Sequence, residues 1–199
     1  MKNKALKITV MLLIGVAFGI KAQSFKKGQK DINLGIGLGN TFISSGTEST
    51  IPPISASLEF GITDAISLGG YLSYSKASWT YGPYSSYYNG DYYTYTDKNS
   101  WSFYIIGVRG AYHFAEFVKN DKVDLYAGIM LGDNIAKNTY TTTDPHRDPY
   151  YTHVSTQSYG GIIFSAFGGC RYRFNDRFGV FGELGFGVAV LNLGLNIKI

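Results

Sequence analysis

The segment Asn192-Leu193-Gly194-Leu195-Asn196-Ile197-Lys198-Ile199 alternates polar or small residues with apolar ones up to the last position of the chain. Successive side chains of a strand point to opposite faces, so this pattern describes a strand with one oily face and one wet face. Seven earlier segments repeat it over roughly 9 to 14 residues, the length that a tilted strand needs to cross a bilayer. Their number and parity predict an all-β protein, an eight-stranded antiparallel up-and-down transmembrane β-barrel, because an open sheet edge is not tolerated in lipid.

The first segment sets Ile32, Leu34, Ile36 and Leu38 against Asn33, Gly35, Gly37 and Gly39. The second sets Ile54, Ala56, Leu58, Phe60 and Ile62 against Ser55, Ser57, Glu59 and Gly61, and turns at Thr63-Asp64-Ala65. Ile66 to Tyr74 forms the third and Tyr104 to Phe114 the fourth. The opposite parity in the fourth would place Arg109 and His113 in lipid, and an arginine near the midplane costs about 2 to 4 kcal/mol. Val123 to Leu131, Ile162 to Phe174, Phe178 to Phe186 and Leu191 to Ile199 complete the set. A soluble lipocalin-like barrel would instead point its oily residues inward.

Connections after the second, fourth and sixth segments are short, whereas those after the first, third and fifth are long, as in barrels with short periplasmic turns and longer outer loops. The connection near Gly187 to Val190 is short and breaks the alternation.

The N-terminus reads separately. Lys2, Lys4 and Lys7 precede an apolar stretch from Ile8 to Ile20 and a small-residue exit at Ala22, which together describe a cleaved signal peptide over 1–22 and a barrel domain over 23–199. Four of the 18 Lys and Arg residues (Lys2, Lys4, Lys7, Lys21) lie in that segment and none of the 14 Asp and Glu, so the remainder is formally neutral. The basic pI therefore reflects the signal segment, and nucleic acid is not an expected partner. One cysteine gives no intrachain disulfide, and Cys170 falls on the apolar parity.

Six charged residues, Glu59, Arg109, Arg171, Arg173, Glu183 and Lys198, fall on the interior parity. Eight strands leave just enough interior for side chains, so these charges are expected to pair. Such a network either plugs the lumen or, by exchanging partners, gates a narrow path.

Tyr81, Tyr84, Tyr87, Tyr88, Tyr92, Tyr93 and Tyr95 surround Asn89-Gly90, a pair that favours a type I′ hairpin turn. The third and fourth strands should therefore continue beyond the membrane as a protruding hairpin. A strict two-residue turn pairs Tyr88 with Asp91 and conflicts with the parity below, so one residue must be absorbed, with Gly82-Pro83 the expected place. Trp79, Trp101, Tyr74 and Tyr104 are assigned to the headgroup belt. The tip tyrosines suit either sheet ladders or an adhesive surface.

The loop Asp144-Pro145-His146-Arg147-Asp148-Pro149-Tyr150-Tyr151-Thr152-His153 lacks recognised metal-ligand spacing, and no metal or cofactor site is expected. Gly35, Gly37 and Gly39 lie within a strand and open no helix, so they are not a phosphate loop.

The combination resembles the small eight-stranded outer-membrane barrels, the family of OmpX, OmpW and the membrane domain of OmpA. The family's C-terminal assembly signal is similar to the pattern carried by Asn192, Gly194, Ile197 and Ile199, with Ile199 in place of the usual Phe. The resemblance covers about Asp31 to Ile199. It implies a cell outer-membrane location in a Gram-negative envelope and contact with outer-membrane lipid and lipopolysaccharide. It also implies insertion by the barrel assembly machinery. The expected role is non-enzymatic, structural or surface-interacting, with an unnamed surface ligand. An OmpW-like small-solute channel is the alternative. His153-Val154-Ser155 loosely resembles the His-x-Ser of lipid A deacylase barrels, a remote alternative without an evident orienting carboxylate.

Overall fold

A computed structural model describes residues 25–40, 48–88, 90–115, 117–118, 120–142 and 152–199. The predicted signal segment, Asn89 and the loop from Asp144 to Tyr151 lie outside the described residues. Eight strands follow in order: β1 (Lys30–Asn40), β2 (Glu48–Gly61), β3 (Ile66–Tyr88), β4 (Asp91–His113), β5 (Val123–Thr142), β6 (His153–Arg173), β7 (Phe178–Phe186) and β8 (Ala189–Lys198). Each pairs antiparallel with the next, and β8 pairs with β1 to close the barrel. The ladder extends past β8, where the Ile199 amide donates to the Lys30 carbonyl at 3.0 Å.

The register fixes the tilt. From Lys30 it runs through Phe60, Leu68, Gly110, Ile129, Ala166 and Phe186, rounds the turn to Ala189, and returns to β1 at Asn40, ten residues further along. A stagger of this size over eight strands tilts them by about 40° from the barrel axis.

Parity sorts the faces as the alternation requires. Leu34, Ile36, Leu68, Leu72, Ile106, Val108, Ile129, Leu131, Phe164, Leu184 and Leu195 are exposed on the outer wall. Asn33, Ser57, Ser67, Ser73 and Asn196 are buried on the inner one. Cys170 is exposed on the outer face. Tyr74 and Tyr104 face outward with ring centroids 5.0 Å apart. Trp79 and Trp101 correct the belt assignment. They fall on the parity of Ala77 and Phe103, which are buried, and Trp101 stacks on Phe103 and Tyr159 above the lumen.

The strands differ in length more than the apolar alternation suggests. β3 and β4 have 23 residues each, β5 has 20 and β6 has 21, against 11, 9 and 10 for β1, β7 and β8. The polar stretch that follows Leu131 is largely strand, not loop. Where both faces of a sheet meet water, oily alternation is not required, yet residues such as Thr139, Tyr140, Thr141 and Thr142 still favour strands. The last β2 partner of β3 is Glu48 opposite Ser78, and the last β7 partner of β6 is Phe186 opposite Ala166. Beyond those points β3 to β6 continue as a raised four-stranded sheet. Among the described residues, Trp79 to Tyr88 on one side and His153 to Ser165 on the other are its unpaired edges.

Candidate functional site

The inner half of the lumen is filled by ionised side chains that the strand parity brings to one depth. The Arg171 guanidinium sits at the centre and is fully buried. Its Nη1 donates to Asp31 Oδ2 and Asp124 Oδ2, each at 3.2 Å, and its Nη2 to Glu59 Oε2 at 3.3 Å. Arg173 Nη2 reaches both Asp31 oxygens at 3.3 Å. Arg109 binds Glu183 at 2.6 Å through Nη2 and lies 3.2 Å from Glu59 through Nε. Three guanidiniums thus face four carboxylates from β1, β2, β5 and β7.

Neutral donors complete the coordination. Gln29 donates to Asp31 at 2.6 Å, Asn33 to Glu59 at 3.0 Å, Asn196 to Asn33 at 2.9 Å and the Tyr126 hydroxyl to Glu183 at 2.9 Å. Arg109 also lies 3.9 Å over the Phe167 ring, and Arg171 lies 5.0 Å over Tyr126. A buried ion is tolerated only when its charge and hydrogen-bonding capacity are met, and here Arg109 and Arg171 each meet carboxylates from at least two strands.

Above the ions an apolar layer of Tyr71, Ile105, Met130 and Val188, backed by Ile163 and Phe167, crosses the lumen. Between the two lies a cavity of about 30 Å³ bordered by Arg109, Glu183, Phe167 and Val188. That space suits one water and is not a path. At the inner mouth, Phe25 is fully buried and stacks on His113 with centroids 3.6 Å apart and planes at 1°. The segment carrying it is tied down by Gly28 N to the Gly61 carbonyl and Lys27 N to Asp64 Oδ1, both at 2.8 Å.

Of the six charges expected in the interior, Glu59, Arg109, Arg171, Arg173 and Glu183 meet in this cluster. Lys198 stands half-buried opposite Asp31 at the inner mouth, outside it. The residues not anticipated are Asp31, Asp124 and Tyr126 together with the Phe25 plug. Asp31 lies one position before the first apolar residue of β1, and Asp124 lies between Val123 and Leu125 on the interior parity of β5, so the alternation carried through both strands reaches them.

His113 contacts both Asp124 oxygens through Nδ1, at 2.9 and 3.0 Å, and Ser67 Oγ through Nε2 at 2.9 Å. These are the distances of a hydrolytic triad. Ser67 and His113 are each 1 % exposed, Phe25 covers the imidazole, and Asp124 is shared with Arg171. A serine buried to this extent cannot meet an acyl carbonyl, and the chain of contacts ties β3, β4 and β5 together. His153 and Ser155 stand exposed on β6, opposite Thr142 and Tyr140. Among the described residues no group of His, Cys, Asp and Glu is arranged to hold a metal.

The raised sheet carries the tyrosines. Tyr87 pairs directly with Tyr92, ring centroids 5.0 Å apart, and Tyr84 with Tyr95 at 5.3 Å. Tyr81 and Tyr92 are exposed, Tyr93 is half-buried, and the Tyr88 backbone pairs with Asp91. The register shifts by one residue between Tyr81 and Tyr84, at Gly82-Pro83, which reconciles the hairpin turn with the outward pairing of Tyr74 and Tyr104. Gly82 adopts φ +107°, and a Cβ there would approach Tyr84 N to 2.9 Å.

The assembly-signal positions lie along β8 and at its end. Asn192 donates to Ser55 Oγ at 3.2 Å over Gly35 of the intervening β1, Gly194 packs against the Leu34 carbonyl, Ile197 is half-buried and Ile199 is exposed.

No protein-family model and no curated protein sequence matches the chain. Among solved structures, it is similar to the N-terminal β-barrel domain of Pseudomonas aeruginosa OprF, with 13 % identity and a TM-score of 0.45 over 87 % of this chain and 98 % of that one. It is also similar to Ail, the attachment invasion locus protein of Yersinia pestis, with 9 % identity and a TM-score of 0.47 over 86 % of this chain and 95 % of that one.

Proposed function

We propose that the chain is an outer-membrane barrel that does no chemistry, with a sealed lumen and a raised, tyrosine-bearing sheet for contact outside the cell. The observation that carries this reading is the inverted distribution of polarity. Soluble monomers rarely expose a contiguous apolar patch beyond a few hundred Å². Here large hydrophobic side chains are exposed on every strand of the closed wall, while arginines and carboxylates occupy the centre. Lipid around the wall makes that arrangement stable, and a closed barrel leaves no open backbone edge within the hydrocarbon.

The raised sheet supports the contact role. Tyrosines give large rigid faces with polar tips at little entropic cost, and the edges of β3 and β6 that are unpaired among the described residues present backbone donors and acceptors. The ionic and apolar layers argue for a plug over a small-solute channel, and the burial of Ser67 argues against hydrolysis.

Fractionation of expressing cells, with heat-modifiable mobility as the folding readout, tests this. The folded chain should partition with the outer membrane, be cut by external protease only within the raised sheet, leave the lipid A profile unchanged and carry no steady current in planar bilayers. Recovery of the folded protein in a soluble fraction would overturn the reading. A steady wild-type conductance would replace the plug with a channel.

A further inference from the structure

The outer wall is not evenly convex. Across β2 to β5 it forms a trough of about 500 Å³ lined by Ile54, Ala56, Leu72, Tyr104, Ile106 and Ile135. A second hollow of about 810 Å³ shares Ala56, Leu72 and Ile106 and continues past Leu58 and Val108 toward the inner end. The small outward residues Ala56 and Gly70 leave this floor open, and a Cβ added at Gly70 would meet nothing within 4 Å.

The upper end of the trough is cationic. Ile54, Tyr74, Tyr104 and Ile135 lie in one row of the register, and the next row outward is Lys76, Ser102 and Lys137. All three face outward by strand parity, and two strand spacings put the lysines about 10 Å apart. Lys137 Nζ sits 5.6 Å over the Tyr104 ring, which holds it against the mouth of the trough. Lys98 lies on the same face further out, opposite Thr141. Among the described side chains of this face, Asp133, opposite Ile106, is the carboxylate, and it disfavours an anion at its own level, two rows below Lys137.

We infer that this wall is a binding site for one phosphorylated lipid of the surrounding outer leaflet, with an acyl chain along the trough and a phosphate between Lys76 and Lys137. The inference rests on the proposed membrane reading, which sets the aromatic pair Tyr74–Tyr104 at the headgroup level. Oily floor, aromatic rim and paired cations occur in the order in which a phospholipid presents acyl chain, ester region and phosphate.

Native mass spectrometry of the folded barrel in neutral detergent, titrated with diphosphoryl lipid A and with its dephosphorylated form, tests the site. The wild type should retain the phosphorylated form preferentially. The double variant Lys76→Gln/Lys137→Gln should lose that preference by about thirtyfold, the factor that two cations at a membrane surface supply. Gly70→Leu, which fills open space, should weaken both lipids alike. Lys26→Gln/Lys27→Gln, which removes two exposed charges at the opposite end, should change neither. Equal retention of the two lipids by wild type, or equal losses in the two double lysine variants, would overturn the site. Heat-modifiable mobility and membrane fractionation of the same preparations separate this from failure of the membrane reading, which would show as a chain that never enters the membrane.

Discussion

The strands β3 to β6 run through both the inner half of the barrel and the raised sheet, yet different forces hold the two regions in register. Below the level of Tyr74 and Tyr104 the two faces of each strand meet lipid and a charged interior. A slip of one residue would exchange them and drive Arg109 or Arg171 into hydrocarbon. Above that level the inner face holds no ionised cluster, although Ala77, Ala136 and Thr142 are buried on it, and a slip carries no arginine into hydrocarbon. Register there is set locally, by the hairpin pairing of Tyr88 with Asp91 and by the irregularity at Gly82-Pro83. The barrel is therefore specified globally in its lower half and locally in its upper half, and substitutions in the two regions should behave differently.

The largest effect is expected at the centre of the ion cluster. Arg171→Ala removes the shared partner of Asp31, Glu59 and Asp124 and leaves four buried carboxylates facing the two guanidiniums of Arg109 and Arg173. Breaking a buried ion pair in this way costs about 3 to 5 kcal/mol. Urea unfolding in detergent micelles should show the loss as a lowered midpoint, with the whole barrel, raised sheet included, unfolding earlier. If the midpoint is unchanged, the cluster does not specify the lower half.

Glu183→Ala is milder, because Arg109 keeps Glu59 at 3.2 Å while losing its 2.6 Å partner, and the Tyr126 hydroxyl loses its acceptor. Loss of hydrogen bonds to a charged group corresponds to about 1.5 to 3 kcal/mol. The vacated volume adjoins the cavity beside Phe167 and Val188, so the same variant asks whether the apolar layer alone keeps the lumen shut. A lowered midpoint with no current assigns the seal to that layer. A lowered midpoint with new conductance assigns it to the ion pair. Wild-type mobility and wild-type conductance together would remove the network from the account of stability.

Much of this was legible in the alternation, and the exceptions have physical causes. Parity placed Arg109 and His113 inside from an energetic argument, and the conflict between parity and the Asn89-Gly90 turn located the irregularity at Gly82-Pro83. The same argument weakened wherever its premise did. β5 and β6 run past the lipid level into water, where Thr139 to Thr142 and His153 to Gln157 carry no oily face to count. Trp79 and Trp101 were placed by residue type when parity already pointed them inward. Phe25 belongs to no strand, so no periodicity could announce it; only its fit against His113 and Gly61 reveals its place.

The smallest effect is expected at the hairpin tip, and it is the sharpest test of the division between the halves. Tyr87 and Tyr92 are a directly opposed pair, and such cross-strand contacts contribute about 0.2 to 1 kcal/mol. Tyr87→Ala should leave the global unfolding midpoint where it is, because the tip opens locally without disturbing the belt. Hydrogen exchange at the amides from Tyr84 to Tyr95 should instead quicken about 1.4- to 5-fold, the same energy expressed as an opening equilibrium. If Tyr87→Ala lowers the global midpoint as far as Glu183→Ala does, the hairpin and the belt unfold as one unit. The turn at Asn89-Gly90 would then act on the whole barrel, and the distinction between a globally and a locally specified half would fail.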